Sequence, residues 1–334
     1  SGANDIERNS NLTNQLDSPP IKSQLVRRLL GGQFALTAEV TPPVSAGSDE
    51  LLAKAEPLRG IVDAVNVTDG ASARVHLSSV ISAAILNANG IEPVVQFTCR
   101  DRNRIALISD LLGVGAQSIH NLLILTGDDP TVGDQPQAKP VFDLKGHELI
   151  TIAHKMSQDG IIPSKSVKMT AEGVDPNTRK IETPPKFFIG AADVPTVKID
   201  EQWLVGLRKK KACGAQFIQT QLSYDMDIIR AYANLLIEEG FTENMFFLIG
   251  NGPLPSARSA IWMRENLWGV VVPDKIIKRL ETAKDSKLEG IKICSEHLQE
   301  LSQISGVAGA HLMAPINVKS IPASIEMASL GNRS

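Results

Sequence analysis

The chain reads as an α/β protein closed into a single (β/α)8 TIM barrel, and three observations predict this. Short apolar runs alternate with segments of helical periodicity to give eight strands. Strands separated by helices must run parallel, because a tight hairpin joins only antiparallel neighbours. No G-x-G-x-x-G fingerprint follows a strand. The nearest match, Gly113-Val-Gly115, follows a helical segment and lacks the third glycine, which favours a closed barrel over an open doubly wound sheet.

Taken in order, residues 1–20 are polar, rich in Asn and Ser, and end in Pro19-Pro20, the composition of a mobile tail. The barrel domain is then 21–334, opening with a short amphipathic helix over 21–30 that Gly31-Gly32 stops. Strands are predicted over 34–40, 62–67, 93–97, 121–125, 186–191, 216–221, 245–249 and 309–313. Helices are predicted over 48–58, 73–89, 104–112 (closed by Gly113), 147–158, 201–213, 226–239, 256–265, 274–281, 289–304 and 320–330. Two connections after the fourth strand, 131–143 and 161–185, are too long and polar for simple turns, and loops of that length are usually functional or mobile.

With 334 residues, 43% hydrophobic and 21% charged, the chain has the balance of a soluble globular protein. A net charge of -3 with no basic block argues against nucleic acid as a partner. No apolar run approaches the ~20 residues a membrane span needs, and no secretory signal pattern is evident, so a cytoplasmic location is expected. Cys99, Cys213 and Cys294 are odd in number and far apart, which fits a reducing compartment, and no metal-ligand spacing is visible.

Catalytic groups of such a barrel gather at the carboxyl ends of its strands. Here those ends carry Glu39, Thr68-Asp69, Gln96, Asp128, Ala191-Ala192-Asp193, Gln221, Asn251-Gly252 and His311. The run Asn121-Leu-Leu-Ile-Leu125 passes straight into Thr126-Gly127-Asp128, where Gly127 permits a close turn and Asp128 lies just beyond a buried strand. Glu39 interrupts an apolar strand, where an unpaired carboxylate is costly. Read alone, it suits a salt-bridged structural residue as well as a proton donor with a raised pKa. Gln221 equally suits a satisfied buried amide or a partner for a heterocycle edge. The Lys209-Lys210-Lys211 run reads as a solvated helix face.

Together, Ala38-Glu39-Val-Thr-Pro-Pro43, Asn66-Val-Thr68-Asp-Gly70, Gln96-Phe-Thr-Cys-Arg-Asp-Arg-Asn103, Leu125-Thr-Gly-Asp128, Gly214-Ala-Gln-Phe-Ile-Gln-Thr-Gln221 and Gly309-Ala-His-Leu-Met313 resemble the methylenetetrahydrofolate reductase family, in order and spacing, from about Phe34 to the C-terminus. The resemblance implies FAD at the top of the barrel, NADH or NADPH as its reductant, and 5,10-methylenetetrahydrofolate as substrate, reduced to 5-methyltetrahydrofolate. It implies that Glu39 is the catalytic acid and that Asp128 is the carboxylate beside flavin and pterin. Gln221 becomes the pterin-contacting amide, with Glu39 and Asp128 also in the substrate site. Thr68, Gln96, Leu125, Thr126, Gly127, Asp128, Ala191 and Lys210 fall where the family contacts the flavin cofactor.

Several positions depart from the family pattern. Ala191-Ala-Asp-Val-Pro195 replaces a Tyr-Pro-Glu-x-x-His-type segment, Trp203 replaces an Asp near the adenosine, Ser259 falls near a Phe that stacks on nicotinamide, and Gln96 replaces a His. These keep two alternatives open: a flavin-free reductase with direct hydride transfer from NADH, and a non-catalytic folate-binding subunit of a one-carbon complex. Homo-oligomerisation, or electrons supplied by a partner subunit, is compatible with the same resemblance.

Overall fold

The structure, a computed structural model, describes residues 21–164, 178–195, 199–314 and 317–331. Eight parallel strands close on themselves: β1 (Ala35–Val40), β2 (Ala64–Val67), β3 (Pro93–Thr98), β4 (Asn121–Leu125), β5 (Phe188–Asp193), β6 (Phe217–Leu222), β7 (Phe246–Asn251) and β8 (Gly309–Leu312). Successive strands are neighbours, and β8 returns to β1 in the register Ala35–Gly309 to Ala38–Leu312. This is the predicted (β/α)8 barrel.

The helices are α1 (Gln24–Leu30), α2 (Ser48–Ala55), α3 (Ser79–Ala88), α4 (Arg104–Ala116), α5 (Gly146–Gln158), α6 (Glu201–Cys213), α7 (Met226–Glu238), α8 (Ala257–Asn266), α9 (Asp274–Thr282), α10 (Ser286–Leu301) and α11 (Ser320–Met327). Most begin at a side-chain cap: Asn103 for α4, Asp200 for α6, Asp225 for α7 and Asp285 for α10 each accept from a first-turn amide. Among the described residues no helix is long and apolar enough to cross a membrane.

Side chains alternate along each strand, so β1 sends Leu36, Ala38 and Val40 outward against the helices and Ala35, Thr37 and Glu39 inward. The lowest inner layer is apolar: Ala35, Ala64, Val94, Leu123, Phe188, Phe217 and Leu248. Phe188 and Phe217 stack across it with centroids 4.5 Å apart. Gly190 makes the room, because a Cβ there would lie 2.3 Å from the Phe217 ring. Leu25, Val26 and Leu29 of α1 seal this layer from below. Glu92 fixes α1 in place, accepting from the Gln24 amide (2.6 Å), the Leu25 amide (3.1 Å), Ser23 Oγ (3.0 Å) and Asn121 Nδ2 (3.0 Å). A carboxylate at a helix N-terminus is stabilised by the exposed amides and the helix dipole. Burial nevertheless pushes the Glu92 pKa up.

The structure differs from the sequence expectation at several boundaries. The helix expected from residue 73 begins at Ser79, because Ser72 and Ala73 take positive φ (56° and 55°) in a 3-10 turn and the chain then extends. Gly113 does not end α4, which continues through Gly115 to Ala116. Gly115 serves packing instead, since a Cβ there would come 2.7 Å from Pro185 Cβ. The 161–185 stretch contains a two-residue antiparallel ladder, Ile161–Ile162 with Arg179–Lys180. The 131–143 loop is tied back by Val141 N to Arg100 O (2.7 Å) and Arg104 N to Asp143 Oδ2 (2.8 Å). The predicted tail, 1–20, and residues 165–177 of the second loop lie outside the described residues.

Candidate active site

Above the apolar floor, the barrel carries a polar ring where period-two spacing would otherwise place apolar side chains. Thr37, Asn66, Gln219 and His311 are all buried. Asn66 and Gln219 exchange amide hydrogen bonds (Nδ2 to Oε1, 2.6 Å; Nε2 to Oδ1, 3.0 Å). Gln219 Nε2 also donates to Thr37 Oγ1 (3.0 Å), and Thr37 Oγ1 meets His311 Nδ1 at 2.8 Å. Four polar groups in a closed interior are tolerable only because each finds a partner.

One step higher on β1 is Glu39, with 27% of its side chain exposed. Its Oε2 accepts from Gln96 Nε2 at 3.1 Å and lies 3.5 Å from His311 Nε2. Glu39 therefore stands at the open rim of the polar ring rather than in a surface ion pair. Nearby, Thr68 Oγ1 is fully buried without a hydrogen-bond partner. A buried hydroxyl left unpaired is uncommon and costly, and here it marks the mouth of the barrel.

The mouth above β2 and β3 is organised by Asp69 and two arginines. Asp69 accepts from Thr98 N (2.8 Å) and Thr98 Oγ1 (3.2 Å), and is paired with Arg102. Arg102 also reaches Asp110 and lies over the Phe97 ring, 4.9 Å from its centroid. Arg100 is buried, bonds Asp101, and contacts the carbonyls of Gly70 and Asp128. These ties hold the Thr126-Gly127-Asp128 turn. Gly127 takes φ +99°, and a Cβ there would sit 3.0 Å from Thr98 Cβ and 3.1 Å from Arg100 Cβ. Only glycine fits this turn without strain. Thr126 and Asp128 are exposed and Leu125 is half-buried.

Other predicted residues lie elsewhere. Ala191 is buried between barrel and helices. Lys210 Nζ donates to the Ala192 carbonyl at 2.5 Å. Asp193 is buried behind β5, receiving Tyr232 Oη (2.6 Å) and Trp203 Nε1 (3.0 Å), and the Trp203 and Tyr232 rings meet edge-on. Burial pushes the Asp193 carboxyl pKa up against these donors and the Lys210 charge. Trp203 is thus bound into the wall of the barrel. Gln221 is half-buried, with its Nε2 on the Trp268 carbonyl (3.1 Å) and its Oε1 on the Leu222 amide (2.9 Å).

Two cavities flank the loop after β8. One, of about 400 Å³, has Glu39, Thr41, Lys54, Met313 and Lys319 on its walls. The other, of about 340 Å³, is apolar and lined by Tyr224, Pro253, Leu254, Trp262, Met263 and Met313, with Ser259 at its edge. Its Gly252–Pro255 wall is held from behind. Tyr224 Oη donates to the Gly252 carbonyl (2.8 Å), and Asn251 links the Ser223 carbonyl, the Gly252 amide and His297 Nδ1.

In the sequence His311 is legible as a strand-end residue without a role, and Thr37, Asn66 and Gln219 are not marked as site residues. Their signal was present: each is a polar residue two positions beyond an inward apolar or glycine residue on its own strand. Among the described residues, no group of His, Cys, Asp and Glu is arranged to hold a metal ion.

Comparison with curated protein sequences gives no match. Among solved structures, an uncharacterized protein from Clostridium thermocellum that binds two copies of 5-methyl-5,6,7,8-tetrahydrofolic acid is similar. Its identity is 13% and its TM-score 0.60, covering 91% of this chain and 97% of that one. A 2,3-dimethylmalate lyase of the PEP mutase/isocitrate lyase superfamily also matches (12% identity, TM-score 0.45, 91% of this chain and 84% of the other). The first likeness, at 13% identity, speaks to the fold alone, and the second supports no argument. The family comparison is more specific: the model of methylenetetrahydrofolate reductase matches residues 24–329, from α1 to the end of α11 and through every strand of the barrel. The chain belongs to the methylenetetrahydrofolate reductase family.

Proposed function

We propose that this protein reduces 5,10-methylenetetrahydrofolate to 5-methyltetrahydrofolate, with Glu39 as the acid. The observation that carries the reading is the position of Glu39. It is a carboxyl on the inner face of the barrel, at the rim of a polar ring, held on one oxygen by Gln96 and His311 and open to a cavity of about 400 Å³. The substrate's imidazolidine ring opens when N10 receives a proton. The N10–CH2 bond breaks, its electron pair stays on N10, and the methylene carbon left on N5 becomes a cationic iminium. Glu39 supplies that proton and regains one from solvent. Asp128, exposed across the mouth, opposes the iminium charge. The carbon then takes a hydride to become the methyl group. Gln221, oriented by the Trp268 carbonyl, offers its amide to the pterin edge.

The mouth fits the ring of a flavin at Thr68, Gln96, Leu125, Thr126, Gly127 and Asp128. The unpaired Thr68 hydroxyl and the Gly127 turn support this assignment. FAD, when bound, supplies the hydride taken from NADH or NADPH. Anaerobic visible spectroscopy tests the assignment. A flavin band is expected that reduced nicotinamide bleaches and methylenetetrahydrofolate restores. Reductase activity with no flavin bound would overturn the flavin assignment.

One observation favours a second reading, direct hydride transfer from NADH without flavin. Lys210 and Trp203, which align with the family's diphosphate and adenosine contacts, are engaged within the chain, by the Ala192 carbonyl and by Asp193. Initial-rate kinetics separate the two. Parallel double-reciprocal lines mean a shuttle, and intersecting lines mean a ternary complex.

A further inference from the structure

We propose that His311 is the positioning residue for Glu39, held in the neutral tautomer that carries its proton on Nε2, so that the acid proton of Glu39 rides only on Oε1. The proposal rests on the reading of Glu39 as the acid, and it assigns a use to the polar ring that the reaction itself does not touch. The argument starts at the rim. Glu39 Oε2 already accepts from Gln96 Nε2 at 3.1 Å, and an ionised carboxylate has only acceptors to offer. His311 Nε2, 3.5 Å from the same oxygen, must then present a hydrogen, because a lone pair there would repel it. Thr37 Oγ1 already accepts from Gln219 Nε2, so its hydroxyl hydrogen needs an acceptor, and Nδ1 is one only when the ring carries its single proton on Nε2. Thr37 Oγ1, 2.8 Å from Nδ1, therefore donates its hydroxyl hydrogen to the ring. That leaves Thr37 to accept from Gln219 Nε2 (3.0 Å), and the second hydrogen of the same amide goes to Asn66 Oδ1 (3.0 Å).

The chain of hydrogen bonds ends there. Below Asn66 and Gln219 lies the apolar layer of Phe188 and Phe217, stacked and sealed by α1. The ring consequently leads no proton to bulk solvent, and what it does is fix hydrogen-bond direction. With both Gln96 and His311 donating to Oε2, that oxygen is an acceptor whether Glu39 is ionised or protonated. The proton has Oε1 alone to occupy, so no donor in the ring has to turn when Glu39 delivers it. A group that need not reorganise during the reaction is what preorganised catalysis requires.

Two measurements test this. In protein labelled with 15N-histidine, the His311 ring is expected to show the neutral Nε2–H pattern near neutral pH, with assignment by comparison with His311→Gln. An Nδ1–H pattern, or an imidazolium, overturns the proposal whether or not the protein reduces folate. For turnover, His311→Gln keeps an amide donor at the Nε2 position, whereas His311→Asn places its amide nearer Thr37 and leaves Oε2 with one donor. The expected result is kcat within about threefold for Gln and a loss of about tenfold or more for Asn, with KM unchanged in both. Equal loss in the two variants overturns the positioning role. If the wild type reduces no methylenetetrahydrofolate, the function proposed above fails, and the 15N pattern still decides the tautomer.

Discussion

Replacing Glu39 with Gln isolates the acid from its surroundings. The amide keeps the shape of the carboxyl, and its oxygen can occupy the position of Oε2, accepting from Gln96 at about the present 3.1 Å and from His311 at 3.5 Å. What is lost, in the proposed mechanism, is the proton that N10 must receive. General acid catalysis contributes about 10²–10⁴ in rate. At about 1.36 kcal/mol per tenfold, that is roughly 3–5 kcal/mol of transition-state stabilisation. Stability should change little, because both donors keep a partner and 27% of the side chain already meets solvent. The assay is methylenetetrahydrofolate reduction by stopped flow, with folate affinity and the thermal midpoint measured on the same sample. The expected result is a fall of 10² or more in kcat with the folate Kd within about threefold. A variant that stays folded, binds folate and turns over within threefold of wild type would refute the assignment of Glu39 as the acid.

Gly190→Ala should destabilise the barrel by about 1–3 kcal/mol or more, since its methyl must displace the Phe217 ring from the stacked pair, and chemical denaturation would read this. Burial pushes the His297 pKa down to about 4, so the unfolded chain binds the proton more tightly. Stability from this group is intact above about pH 6.5 and is lost as pH falls towards 4, a loss absent in His297→Gln and worth up to about 3 kcal/mol. Asp193 has the opposite sign: its pKa is raised by burial, so its ionisation opposes folding at pH values above the ordinary 3.8. Relative to Asp193→Asn, the wild type should gain stability as pH is lowered towards that value, measured as paired denaturation curves across pH. A flat difference would mean that Tyr232, Trp203 and Lys210 stabilise the charged form enough to cancel its burial.

Much of this protein is determined by local sequence. The apolar run 121–125, the turn glycine at 127 and the helical patterns over 201–213 and 226–239 act through neighbours in the chain, and each element they predict is present. Eight alternations leave little choice but a closed parallel barrel, because buried parallel strands need both faces covered. Boundaries set by distant contacts were not legible. Gly113 reads as a helix stop, and only the structure, with Pro185 against Gly115, shows that α4 runs on through both glycines.

The candidate site divides in the same way. Glu39 and the Leu125–Asp128 turn stand out in the sequence because a carboxylate or a glycine breaks a pattern that local physics would otherwise continue. Their partners do not. His311 lies 272 residues from Glu39, and Gln219 lies 182 from Thr37. A histidine, an amide and a hydroxyl on separate strands carry no mutual signal until the register of β1 against β8 and the closure of the sheet bring them to one height. The same holds for Trp203 and Lys210, which the sequence can only align with family positions. Packing between α6, α7 and β5 is what turns them to Asp193 and the Ala192 carbonyl. Sequence alone thus determined the fold and singled out Glu39, through patterns read along one strand or helix. Tertiary structure decided which side chains surround Glu39 and which are spent within the wall, because those depend on hydrogen bonds between elements far apart in the chain.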